Sequence, residues 1–197
     1  MAKDLMLDVD QAGELKAAFR RWNWTNADVK RFCKSDRGPD FLKVLDGYAE
    51  VTIVRHIINM DADPYCPSGL TVEKNGHMKG GQLELDPQNF RLYLSEKQKA
   101  APWIRGHDLR KEVQPLSPYN ANLLDYWLAH PALIPEECKG KATFFWGTIY
   151  RDSGGYLYVR YLYWDGTTPL SYYHCLGGDF HSSGPAAVPA SIKKLSS

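Results

Sequence analysis

Asp61-Ala-Asp63, with His56 five residues upstream, has the spacing at which paired carboxylates hold a divalent ion, as Asp-x-Asp motifs do in some sugar-nucleotide enzymes. The same acids stand beside Pro64, and Asp flanking Pro is equally the chemistry of a simple turn. His174 and Cys175 are chain neighbours, so on a strand their side chains point to opposite faces and do not form a base and nucleophile pair. His107, His130 or His181 would have to reach that thiol through the fold. Lys79-Gly80-Gly81 lacks the Gly-Lys-Ser/Thr of a phosphate cradle and reads as a hairpin turn. The enzymatic reading left open is a small metal-dependent enzyme built on Asp61, Asp63 and His56.

A second concentration of chemistry is aromatic. Phe144 to Gly166, FFWGTIYRDSGGYLYVRYLYWDG, carries nine aromatic side chains in 23 residues. Ser171 to Gly184, SYYHCLGGDFHSSG, continues in Tyr, His, Ser, Gly and Asp. A buried Tyr needs a partner for its hydroxyl, and few charged acceptors stand nearby, which places several phenols toward solvent or a ligand. Tyr gives large amphipathic contact area at low entropic cost, and small polar residues give adaptable hydrogen bonding, the vocabulary of a recognition surface. Composition also changes abruptly at Ala142: Lys, Glu, Gln, Met and Asn recur up to Lys141, yet none occurs from Ala142 to Ser191. Strand propensity disfavours Lys, Glu and Asn but does not account for the loss of Gln and Met.

The bulk properties narrow the partner. The 24 Lys and Arg against 23 Asp and Glu give a net charge of +1, which offers nothing to nucleic acid or acidic lipid. Only Arg151 and Arg160 carry fixed positive charge between Phe144 and Ser191, too few for a groove tracking single-stranded nucleic acid. The beginning of the chain, MAKDLMLDVD, lacks a basic start and an apolar core, and no apolar run reaches spanning length. A cytoplasmic protein without membrane insertion is expected. Cys33, Cys66, Cys138 and Cys175 are scattered, with no Cys-x-x-Cys, so neither zinc nor a disulfide framework is indicated. No Glu-Pro-Asn or Gln-Pro-Asp motif for calcium-dependent sugar binding occurs, and no cofactor is expected.

The elements that must position these residues fall into two regimes. Gln11 to Trp22 places Leu15, Ala18, Phe19 and Trp22 on one helical stripe. Thr25 or Asn26 caps a second helix, Asp36 to Pro39 reads as a loop, and Phe41 to Leu45 forms a third helix ended by Gly47. Val51 to Met60 is β-branched and reads as a buried strand. Leu83, Leu85, Phe90, Leu92 and Leu94 predict short strands. Asn120 to Ala129 has helical spacing, stopped by His130-Pro131. Thr143 to Tyr150 and Tyr156 to Trp164 predict a hairpin around Arg151 to Gly155. Leu157, Val159, Tyr161 and Tyr163 share one face of it, and Tyr156, Tyr158, Arg160, Leu162 and Trp164 the other.

HIINMDADPYCPSG from His56, KGGQLELDP from Lys79, GHDLRKE from Gly106, NANLLDYWLAHPALIPEECKGK from Asn120, FFWGTIYR from Phe144, LYVRYLYW from Leu157 and PAAVPAS from Pro185 together resemble a family of uncharacterised proteins from uncultivated microbes. That family resembles in turn the variable proteins of diversity-generating retroelements, whose targets usually end in a C-type-lectin-like domain. The resemblance implies an α+β fold: a helical segment over 1–50, then a C-type-lectin-like mixed domain with short antiparallel strands over 51–197. It also implies a hypervariable region at about 150–187. Copying errors at template adenines there convert Asn codons to Tyr, Ser, Asp, His or Gly but never to Lys, Glu, Gln or Met.

The resemblance further implies a non-catalytic binding protein for a protein or other macromolecular ligand. It assigns variable positions to Asp152, Ser153, Tyr156, Tyr158, Tyr161, Tyr163 and Asp165 in the hairpin, and to Tyr172, Tyr173, His174, Gly178, His181, Ser182, Ser183 and Gly184 beyond it. Phe180 joins the display set, and the aromatics of both stretches are expected to converge on one exposed patch. Trp146, Gly147, Val159, Leu162, Trp164 and Leu176 are expected as scaffold, with the two tryptophans largely buried. Cys138, Pro169 and Ser171 depart from the Trp pattern of that family.

Overall fold

The computed structural model describes residues 8–35, 38–100 and 103–190. The chain divides into two compact units, 1–54 and 55–197.

The first unit is helical: α1 (Val9–Arg21), α2 (Asn26–Lys34) and α3 (Gly38–Leu45). Asp8 and Thr25 each close a capping box, accepting the amide three residues on while Gln11 and Asp28 reach back. The unit is held by ring contacts rather than a deep core, with Phe19 stacked on Trp24 at 4.9 Å, Trp24 against Phe32 at 5.5 Å and Phe32 against Phe41 at 5.2 Å. Gly47, at φ 77°, takes the left-handed conformation that ends α3. The loop expected over Asp36 to Pro39 falls partly outside the described residues, which omit Asp36 and Arg37; Gly38 and Pro39 open α3, where a proline costs no hydrogen bond.

The buried strand expected over Val51 to Met60 is not formed as such. Only Ile57–Asn59 is a strand (β1), and Val51, Ile53 and Val54 are exposed. The reason is pairing: β1 bonds to the three residues of β3 (Gln82–Glu84), and of this stretch only Ile58 and Met60 reach the core.

In the second unit everything is organised around β6 (Ala142–Asp152), whose residues Thr143 to Tyr150 are all buried. β7 (Leu157–Tyr163) returns antiparallel along one edge of β6, and β8 (Leu170–Cys175) pairs antiparallel with β7. On the other side, β10 (Ala186–Pro189) runs parallel to β6 at Phe144 and pairs with β4 (Phe90–Tyr93). β2 (Leu70–His77) pairs with the far half of β6. Short pieces complete the unit: α4 (Glu96–Ala100), and β5 (Ile104–Arg105) paired with β9 (Asp179–Phe180).

A helix covers each face of the sheet. α6 (Ala121–Ala129) packs Leu123, Leu124 and Trp127 against Phe145 and Leu162. α5 (Gly106–Val113) packs Leu109 and Val113 among Trp146, Ile149 and Val159 on the opposite face. Alternate residues of β6 therefore feed two cores, which is why a strand of such continuous apolar character has no solvated side. Asn120 caps α6 and locks it in place, its Nδ2 donating to the carbonyls of Met60 at 2.7 Å and Met78 at 2.8 Å. The protein is α+β. Among the described residues, no helix is long and apolar enough to cross a membrane.

Candidate ligand-binding surface

β8 is the outermost strand of its side of the sheet. Its register pairs Tyr161 with Tyr172, Arg160 with Tyr173 and Val159 with His174. Directly opposed residues share a face, so Tyr161, Tyr172 and His174 stand on the α5 side with Val159, and Tyr158, Arg160 and Tyr173 stand on the α6 side with Leu162. Ring pairs form on both sides: Tyr161 with Tyr172 at 5.7 Å, and Tyr158 with Tyr173 at 5.5 Å. The expected single patch is thus corrected. Tyr172 and Tyr173 are both 47 % exposed, but as strand neighbours they flank β8 from opposite faces.

A cavity of about 580 Å³ opens on the α6 side, bordered by Tyr65, Leu128, Ser171 and Tyr173, and extends around β8 to Tyr161 and Tyr172. Its floor is an ion pair between β7 and α6. Arg160 donates from Nη1 to Asp125 Oδ2 at 3.1 Å and from Nη2 to Asp125 Oδ1 at 2.7 Å, and Nη2 also donates to Ser171 Oγ at 3.1 Å. The guanidinium lies 5.0 Å from the centre of the Tyr65 ring. Burial opposes the charge on Arg160, and the Asp125 carboxylate more than offsets it, so its pKa is raised. Beneath, burial pushes the Tyr150 phenol up to about 12, and its hydroxyl donates to the Tyr65 carbonyl at 3.0 Å. Arg160 is legible in the sequence as one of the two fixed cations between Phe144 and Ser191. Tyr65, Asp125 and Leu128 are not, because they come from segments 32 or more residues away and only the fold unites them.

Several expected display residues are structural instead. Phe180 is 1 % exposed, wedged between Phe144 at 4.9 Å, Trp146 at 5.0 Å and His174 at 4.8 Å, so it belongs to the core. Gly184 is buried, and an added Cβ would stand 2.8 Å from the Phe144 ring. Gly178 is similarly confined, with His174 Nε2 2.8 Å from the position of a Cβ. Asp152 is half-buried and knots the hairpin, accepting the Tyr156 amide at 2.9 Å and the Tyr158 hydroxyl at 3.0 Å. The latter bond raises the Tyr158 pKa. Asp165 is exposed but accepts both the amide and the hydroxyl of Thr167, which lowers its pKa.

The remaining positions are exposed but dispersed. Ser153 and Tyr156 occupy the turn between β6 and β7. Tyr163, His181, Ser182 and Ser183 lie exposed toward the start of β6, where the Ser183 carbonyl accepts the Ala142 amide at 3.0 Å. Among the expected scaffold residues Trp146 is buried and Trp164 is half-buried against the α6 core.

In the Asp-x-Asp motif, the Asp61 carboxylate is engaged by the backbone. Asp61 Oδ1 accepts the amides of Gly80 and Gly81, both at 2.9 Å, and His56 Nδ1 pairs with the Tyr126 hydroxyl at 2.8 Å. Asp61 thereby anchors a turn. Among the described residues, no group of three or more His, Cys, Asp and Glu side chains is placed to hold a metal ion. All four cysteines are free thiols. Neither family models, curated proteins nor solved structures give a match to this chain.

Proposed function

We propose that the chain is a non-catalytic binding protein that presents diversified Tyr, Ser and His side chains on a C-type-lectin-like scaffold, as a target of a diversity-generating retroelement. The observation that carries this reading is the gradient of exposure across the sheet. Thr143 to Tyr150 of β6 are buried without exception, β7 is mixed, and Tyr172 and Tyr173 of β8 are half in solvent. A tyrosine-rich edge on a core that does not depend on it is what a surface needs if its residues are to change while the fold persists. Tyr156 and Tyr163, 64 % and 42 % exposed, extend the same vocabulary to both ends of β7.

The test replaces Tyr156, Tyr172, Tyr173 and His181 together by Ser or Asp in a library. Cooperative unfolding near the parent temperature in most members supports display, and wholesale collapse removes the reading. The neighbouring DNA should also hold a reverse transcriptase and a near-copy of the Tyr150 to Ala187 coding segment, with mismatches at adenines.

A further inference from the structure

The phase of the β7–β8 ladder directs unused backbone hydrogen bonding outward beside the tyrosines. The Leu176 amide donates to the Leu157 carbonyl at 2.8 Å, which places 157 and 176 in the hydrogen-bonded phase of the ladder. In an antiparallel ladder such pairs alternate, so with the observed register Leu170, Tyr172 and His174 bond to β7. Ser171 and Tyr173 turn their N–H and C=O groups away from it, along an edge that pairs with no other strand among the described residues. The register of β8 is uninterrupted from Leu170 to Cys175, and the strand contains no Lys, Pro or bulge, the devices that ordinarily blunt an edge.

We propose that this edge binds an extended segment of a partner protein as an added strand alongside β8. Main-chain bonds to Ser171 and Tyr173 supply affinity independent of the partner's sequence, and the flanking side chains supply selectivity. The arrangement accounts for consecutive exposed tyrosines on opposite faces. Alternate side chains of a strand at the edge meet Tyr161 and Tyr172 on one face and Tyr173 on the other.

The cavity on the Tyr173 side also specifies charge. Arg160 is committed to Asp125 and Ser171, with its side chain 4 % exposed, so it offers little to an anion. Asp125 is already neutralised, and a second cation would face Arg160. The partner side chain entering there is uncharged, with donors for the open lone pairs of Asp125, whose side chain is 31 % exposed.

The inference rests on the binding-protein reading, and one backbone substitution separates the two. Tyr173→Pro deletes an outward amide without touching a β7 bond, a placement edge strands tolerate; Tyr173→Ser removes the ring but keeps the amide. Linear peptides are selected from a random displayed library against the parent, synthesised, and titrated against parent and both variants, with melting followed in parallel.

The expected result is a loss of about tenfold or more in Tyr173→Pro, the effect of leaving a ligand carbonyl without its donor, and a smaller loss in Tyr173→Ser. Alternate N-methylation of the peptide should abolish binding. The Ser171 and Tyr173 amides should exchange rapidly in the free protein and be protected in the complex. If Tyr173→Pro does not fold, methylation and exchange decide alone. Peptides that bind Tyr173→Pro and parent equally would overturn the edge while leaving the binding reading in place. Failure to enrich any linear peptide on folded parent would overturn it too. So would self-association of the parent that Tyr173→Pro abolishes, which would give the edge to a second copy of the chain.

Discussion

Arg160 and Asp125 form a two-pronged ion pair at 2.7 Å and 3.1 Å across 35 residues of chain, and it ties α6 to β7 beneath the candidate surface. Removing one partner of a buried pair leaves an uncompensated charge, whereas replacing both by apolar residues does not. Asp125→Ala should therefore cost about 3 kcal/mol of stability. The double variant Asp125→Leu with Arg160→Met should recover most of that loss. Urea unfolding of the single and double variants measures it, and equal losses in the two would show that the pair is not the tie.

Core and display residues are interleaved in the tail, and truncation should tell them apart. Phe180→Ala and Trp146→Ala should each cost about 3 to 5 kcal/mol, as truncating a core aromatic does. Ser182→Ala, exposed two positions beyond Phe180, should lie within about 0.5 kcal/mol of the parent. Thermal melts of the three variants check this. A parent-like melt for Phe180→Ala would return that residue to the display set.

Part of this division was legible before the fold and part was not. The second helix was readable from a cap at Thr25 or Asn26 and α6 from its apolar spacing, and period two sorted the faces of β7 correctly, because caps, helical spacing and pleat are local rules. Period two did not sort exposure, since helices cover both faces. Burial instead declines from the central β6 to the outer β8, and nothing local marks which strand is central. Phe180 looked like its neighbours Gly178 and His181 but lands on β9, where Ile104 pairs with it from a distant segment. Val51 to Met60 failed for the opposite reason: its β propensity is genuine, but the three residues of β3 leave the rest of it unpaired.

Alkaline pH should unfold the protein earlier than its exposed groups alone require. Burial pushes the Cys138 thiol from its ordinary 9.0 up to about 12, and the Tyr150 phenol from 10.0 up to about 12. Both are held protonated in the fold, so unfolding above those ordinary values releases protons and is favoured by rising pH. Their contribution to stability is whole below pH 9, and is lost progressively as pH rises toward 12. Denaturant titrations at pH 8, 10 and 11 measure the slope, and Cys138→Ala should flatten it. At neutral pH iodoacetamide should label exposed Cys33 and Cys66 well before Cys138. Early labelling of Cys138 would contradict its burial.

The β6–β7 turn tests whether a surface residue of the variable region is free to change merely because it is polar. Asp152 Oδ1 accepts the Tyr156 amide and Oδ2 the Tyr158 hydroxyl, while Arg151 pairs with Glu73 on β2 and donates to the Gly155 carbonyl at 2.8 Å. The loop is thus closed by a carboxylate from inside and braced by a guanidinium from outside, and Tyr156 contributes its amide rather than its ring. Asp152→Ala removes both acceptors and should cost about 1 kcal/mol. Asp152→Asn keeps an oxygen for the amide and should cost less. Tyr156→Ser keeps the amide, exposes no core and should be neutral. Melting temperatures in that order would divide the turn into one fixed and one variable position. An Asp152→Ala variant as stable as Tyr156→Ser would return Asp152 to the variable set and leave the turn's conformation to Gly155, whose φ is 86°.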